Sequence, residues 1–184
     1  MQKFTALFAA TLLVSFLSEA SAAEYNKPIY DPYSKSYFEL IPVTKELSPN
    51  KHLPELPFDK AAQVASGRAF KGARGRLATV KSRQTHELIL EKLRPDTETW
   101  IGLRYFCNTR ELKWINGESL KRGGFQAWHP QWDQGGAASC THGRGEANWM
   151  PVAYTAAADG LRWVAKGAFK HYRAILVEYP VGHE

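Results

Sequence analysis

The sequence predicts an α+β fold, and three observations carry that prediction. Two stretches with helical periodicity come early, at residues 59–70 and 83–93. Strand-like runs take over from Thr99 onward. Between them lies a long segment, 121–150, rich in glycine, tryptophan and histidine and poor in periodicity. An unstructured loop of that length is functional or disordered, and Phe125, Trp128, Trp132 and Trp149 argue against disorder.

The amino terminus reads as a leader. Lys3 supplies a positive start, Ala6 to Leu17 an apolar run, and Ala20-Ser21-Ala22 a small-residue cleavage site. The run is short for a permanent membrane helix, although a retained amino-terminal anchor is the alternative. Residues 1–22 are therefore expected to be a signal peptide, with a secreted product in an extracellular or periplasmic space. No later stretch is expected to cross a membrane.

Residues 23–57 read as a Pro/Tyr-rich arm that includes a first strand at 37–41; its prolines exclude long helices. Asp59 is placed to cap a helix over 59–70, with Phe58, Ala62, Ala65 and Ala69 recurring on one face. Gly72 and Gly75 break it, and residues 76–80 follow as a strand. Ser82 caps the second helix, which Pro95 stops, with Leu88, Ile89, Leu90 and Leu93 facing the core. Further strands are expected over 99–105, 112–115, 152–155, 161–165 and 173–179. Thr99 to Gly117 itself reads as strand, polar turn and strand, closed by the turn dipeptide Asn116-Gly117.

The formal net charge is +6, and it survives leader removal because Lys3 and Glu19 leave together. Such a balance favours acidic partners or merely sets solubility. The basic sets Arg68, Lys71, Arg74, Arg76, Lys81, Arg83 and Arg162, Lys166, Lys170, Arg173 read as solvated faces. Aromatics are not interleaved with them, so nucleic acid is not an expected partner. Two cysteines in an exported chain make one disulfide the default.

At this point the order of motifs resembles the C-type lectin-like domain, over about residues 33–180. Ser36-Tyr37-Phe38-Glu39-Leu40 sits at the family's opening strand, and Phe58-Asp59-Lys60-Ala61-Ala62 at the start of its first helix. Gly75-Arg76-Leu77-Ala78-Thr79-Val80 and Ser82 are similar to the family's G-x-L-A-x-I-x-S. Trp100-Ile101-Gly102-Leu103 matches W-I-G-L outright, and Leu112 to Gly117 is similar to W-x-W-x-D-G. Trp128-x-Pro130 falls where the long loop opens, and Val177-Glu178-Tyr179 where the chain closes. The resemblance implies two helices flanking a small antiparallel sheet, paired termini, and a long loop that carries the ligand site. The domain is expected to span 33–184.

Sugar-binding members hold calcium through Glu-Pro-Asn or Gln-Pro-Asp, a later Glu, and Trp-Asn-Asp. The matching positions here hold Trp132-Asp133-Gln134, Ala138 and Trp163-Val164-Ala165. Calcium takes about six to eight oxygens, several from carboxylates, so a divergent member without the family's calcium-dependent sugar site is expected. Asp133 and Glu146 remain as two carboxylates that read as solvated or arginine-paired. No metal and no cofactor are expected. The cysteines depart from the usual pairing as well: Cys140 fits the loop position and Cys107 fits no usual one. A variant Cys107–Cys140 bridge follows, pinning the loop onto the W-I-G-L hairpin.

The candidate ligand-binding residues are Trp132, Asp133, Gln134, His142 and Arg144, where aromatic faces meet hydrogen-bonding groups. Trp128, Trp149 and Trp163 read as loop packing, and Trp132 as the exposed tryptophan. The expected function is recognition of a carbohydrate, anionic glycans included, or of a protein surface, without calcium. The alternatives are an assembly protein of the cell envelope and, more remotely, an exported hydrolase using Asp133 and His142. No G-x-S-x-G elbow, H-E-x-x-H or phosphate loop supports an enzyme.

Overall fold

The computed structural model describes residues 27–121, 123–130, 132, 140, 148–167 and 169–182. An eight-stranded sheet forms the body, with β1 (Ile29–Asp31), β2 (Ser36–Pro42), β12 (Ala174–Pro180), β7 (Thr99–Phe106), β9 (Trp149–Ala157) and β10 (Gly160–Ala165) side by side in that order. β6 (Arg76–Leu77) adds to β12, and β8 (Glu111–Trp114) adds to β7. All pairings in this sheet are antiparallel except β7 with β12. The paired termini implied by the family resemblance are present as β2 against β12.

Alternation along the strands divides the core in two. Trp100, Ile175 and Val177 pack with Phe58, Ala61 and Ala65 of helix α1 (Phe58–Ser66). Ile101, Leu103 and Leu176 point the other way, to Ile89 and Leu93 beyond helix α2 (Arg83–Leu88). Two glycines permit close approach. A Cβ on Gly75 would lie 2.4 Å from the Ala65 carbonyl oxygen, and one on Gly102 2.5 Å from that of Leu77. These are the glycines of the two lectin-like motifs. Trp100 is fully buried, donates its indole N–H to the Leu56 carbonyl at 2.7 Å, and meets Phe58 edge-on.

Several local expectations are corrected. α1 ends at Ser66, because Gly67 closes it and the chain reverses into the hairpin β4 (Ala69–Phe70) and β5 (Ala73–Arg74). Its N-cap is Pro57 in extended conformation, and Asp59 lies in the first turn instead of capping. Ala69 is exposed, and Ala61 takes the buried place. Ser82 does cap α2, accepting from the Thr85 N–H at 3.0 Å, but the helix passes into a π-helical turn over Ile89–Leu93. The buried positions are then Thr85, His86, Ile89 and Leu93, while Leu88 and Leu90 are half-buried. The strand expected over 76–80 pairs only at Arg76–Leu77, although Ala78 still donates to the Leu176 carbonyl. Part of the arm is built into the fold: β1 pairs with β2, and β3 (Leu56–Pro57) pairs with β11 (His171–Tyr172). Among the described residues no helix is long and apolar enough to cross a membrane.

Candidate functional site

The site is built on the β9–β10 hairpin. Tyr154 stands opposite Trp163 and Thr155 opposite Arg162 in this pair. The chain at 127–129 runs along the free edge of β10: Trp163 donates to the Ala127 carbonyl at 2.6 Å, and the His129 N–H donates to the Trp163 carbonyl at 2.9 Å. That edge pairing places an aromatic stack. Trp128 meets the fully buried Trp163 edge-on, and Trp132 lies flat on Trp128 with ring centres 4.0 Å apart. Tyr105 of β7 closes the stack edge-on against Trp132.

Behind the stack, Cys107 and Cys140 are joined with Cα atoms 5.8 Å apart, and Cys107 N–H donates to the Asn148 carbonyl. The bridge ties the long segment to the end of β7, as the sequence implied. It closes a 33-residue separation, which the chain-entropy description values at about 3.5 kcal/mol.

Between the stack and the hairpin opens a cavity of about 280 Å³, walled by His129, Trp132, Thr155, Val164 and Lys166. Its chemistry is mixed. Trp132 gives an apolar surface, Lys166 a cation, and Thr155 a buried hydroxyl oxygen with no hydrogen-bond partner among the described residues. Trp132 itself is half-buried, because Trp128 and Tyr105 take up much of its ring; this corrects the expectation that it stands free in solvent. Asp133, Gln134, His142 and Arg144, together with Ala138 and Glu146, lie outside the described residues. Lys166 belongs to one of the basic sets of the sequence, but only the folded hairpin brings it to His129. Thr155 was not singled out, since an isolated threonine in a strand carries no signal of its own.

The described part of the wall offers a calcium ion too few oxygens. Val164 and Ala165 offer no side-chain oxygen, Ala165 is buried, and Thr155 supplies the only side-chain oxygen of the described wall. Among the described residues, no three His, Cys, Asp or Glu side chains are grouped to hold a metal.

A buried histidine supports the site from the other side. His86 Nδ1 lies 2.8 Å from Tyr154 Oη, and its Nε2 lies 3.3 Å from Arg162 Nη1. A guanidinium only donates, so Nε2 accepts and the ring proton sits on Nδ1. Burial, then the nearby Arg162 and Arg83, push the His86 pKa down to about 4. Phe125 packs on this ring and, edge-on, on Trp163.

The basic residues are mostly exposed, as expected, and several of them are paired as well. Arg68 pairs with Glu39 and Tyr179, Arg76 with Glu178, Lys81 with Glu118, and Arg162 with Asp159. Lys71 and Arg83 lie over the rings of Tyr37 and Phe125. Arg68, Lys71, Arg74, Lys81, Arg83, Lys170 and Arg173 are exposed, and Arg76, Arg162 and Lys166 are half-buried.

Residues 63–158 match the lectin C-type domain family. The chain belongs to that family. The lectin domain is similar in structure to C-type lectin CEL-I from Cucumaria echinata, with 11% identity, TM-score 0.53, and coverage of 78% of this chain and 89% of that one. Human lithostathine is similar at 13% identity and TM-score 0.56, covering 90% of this chain and 99% of its own. The lectin domain of murine dendritic cell inhibitory receptor 2, solved with an N-glycan, matches at 14% identity and TM-score 0.53, over 81% and 94% of the two chains. At such identities the likeness establishes the fold. No curated protein sequence matches this one significantly. Domains of this family are typically binding modules without enzymatic activity.

Proposed function

We propose that this lectin domain is an exported recognition module that binds a carbohydrate carrying an acidic group, without calcium. One observation carries the reading: the cavity at the end of β10 combines the Trp132 ring, His129 and the Lys166 ammonium where family members place calcium ligands. Aromatic surface suits the apolar face of a sugar ring, and an ammonium suits sulfate, phosphate or carboxylate. Asp133, Gln134, His142 and Arg144 follow Trp132 in the sequence and complete the proposed ligand set. Residues 1–22 act in this reading as a signal peptide, 23–57 as the arm and 33–184 as the binding domain.

A glycan array read with and without chelator, at two salt concentrations, tests the proposal. Binding of acidic glycans that persists in chelator and weakens with salt is the expected result. Binding that vanishes with chelator would overturn the calcium-independent reading. A protein-only pull-down with an empty array would favour the envelope-assembly alternative.

A further inference from the structure

A second cavity, of about 310 Å³, lies at the opposite edge of the sheet, between the β1–β2 turn, the segment leading into α2 and the chain after β12. Its floor is a ring of hydroxyls whose hydrogens are already committed. Thr79 Oγ1 donates to Glu178 at 2.7 Å and Ser36 Oγ to Glu178 at 3.1 Å. Ser34 Oγ and Thr85 Oγ1 donate to Asp31 at 2.7 and 2.6 Å. Ser82 Oγ lies 2.8 Å from Thr85 Oγ1, whose proton is spent, so Ser82 donates there too. What these oxygens still hold is lone pairs, most openly on the exposed Ser34 and the half-buried Ser82, with Ser36, Thr79 and Thr85 buried beneath them. The floor therefore accepts hydrogen bonds and offers no hydroxyl hydrogens.

The donors sit on the rim. Glu178 is occupied by Arg76, the Thr79 N–H and two hydroxyls, so its charge is matched inside the wall. Asp31, fully buried, is held by two backbone N–H groups and two hydroxyls. Lys35 is exposed, makes no ion pair among the described residues, and is fixed by its carbonyl, which accepts from the Gly182 N–H at 2.9 Å. Lys81 faces it across the cavity, and its partner Glu118 is half-exposed, a pairing worth little in water. Tyr33, 65% exposed, stands at the mouth as an aromatic face.

An acceptor floor under a cationic rim selects a ligand with hydroxyl donors at one end and a negative charge at the other. We propose that this cavity is a second ligand site, for a polyhydroxylated acid of monosaccharide size such as a uronic acid or a sugar phosphate. It is separate from the long-loop cavity and does not depend on that cavity binding anything.

The test is amide chemical-shift titration of the full chain with glucuronate, glucose 6-phosphate, glucose and inorganic phosphate. Both acids are expected to move Lys35, Thr79 and Ser82, with glucose and inorganic phosphate each about tenfold weaker, since each lacks one half of the recognition. The exposed double substitution K35Q/K81Q is expected to weaken glucuronate about tenfold or more, through loss of two charge-assisted contacts. Glucose binding as tightly as glucuronate, or phosphate as tightly as glucose 6-phosphate, overturns the proposal. So do an unchanged affinity in K35Q/K81Q and shifts confined to His129, Trp132 and Lys166. The last pattern leaves the long-loop reading intact, so the two sites fail separately.

Discussion

The two edges of the sheet are held by different physics. At the edge formed by the paired termini, buried carboxylates organise the structure: Glu178 collects Arg76, Thr79 and Ser36, Asp31 collects Ser34 and Thr85, and Glu39 collects Arg68 and Tyr179. At the β10 edge, stacked tryptophans do that work, and a disulfide fastens what lies beyond them. A satisfied polar network fixes geometry sharply but fails badly when one member is lost. An aromatic stack tolerates loss more gradually, because each ring keeps its other contacts.

The sharpest break of this contrast is Glu178→Ala. It removes the carboxylate to which the half-buried Arg76, the Thr79 N–H and two hydroxyls donate, so the expected cost is about 3–5 kcal/mol, read as a shift in urea midpoint with unchanged slope. A loss below about 1 kcal/mol would show that the network is decorative. The corresponding change at the other edge, Cys107→Ser with Cys140→Ser, is expected to cost about 2–4 kcal/mol. Limited proteolysis sharpens the comparison: new cuts should fall in 121–150 and leave β2 and β12 intact.

A third, smaller effect lies between the edges. His86 faces Tyr154, Phe125, Arg162 and Arg83, and its pKa is held near 4, below the ordinary 6.5. As pH falls below 6.5 the unfolded chain takes up this proton first, so folded stability drops until about pH 4 and then levels for this group. Carboxylates held low by cations, such as Glu118 with Lys81 and Asp159 with Arg162, add their own loss at lower pH. The slope between pH 6.5 and 4.5 is therefore the histidine's, and His86→Gln should flatten it. An unchanged slope would show that His86 is protonated in the folded state.

The same contrast explains what the sequence made legible. Motif order identified the lectin-like fold because Gly75, Gly102, Trp100 and Trp114 each meet a tight steric demand: two admit a neighbouring carbonyl and two fill the core. The Cys107–Cys140 bridge was legible because a chain with two cysteines leaves one internal pairing. Helix ends were not, since Arg68 leaves the helical path for Glu39, a residue 29 positions away. The π-helical turn was hidden too, because Leu88, Ile89 and Leu90 are interchangeable in hydropathy and only packing chooses Ile89. The candidate site was half legible. Trp132 could be found by its place after Trp128, but Thr155 and Lys166 join it only through the β9–β10 register.

The smallest expected change in stability is the most informative about function. Trp132→Ala removes one ring of a stack whose other member, Trp128, keeps its contact with Trp163 and its bond to Gln126 at 2.7 Å. The loss is therefore expected near 1 kcal/mol, well below that for a fully buried tryptophan. If the long-loop cavity is the glycan site, the same substitution should weaken acidic-glycan binding by about tenfold or more, in excess of any effect on folding. Trp132→Phe, which keeps a flat apolar face, should recover part of that binding. A stability loss like that of a core tryptophan, with binding unchanged, would make Trp132 packing alone and move the search for the ligand to other surfaces.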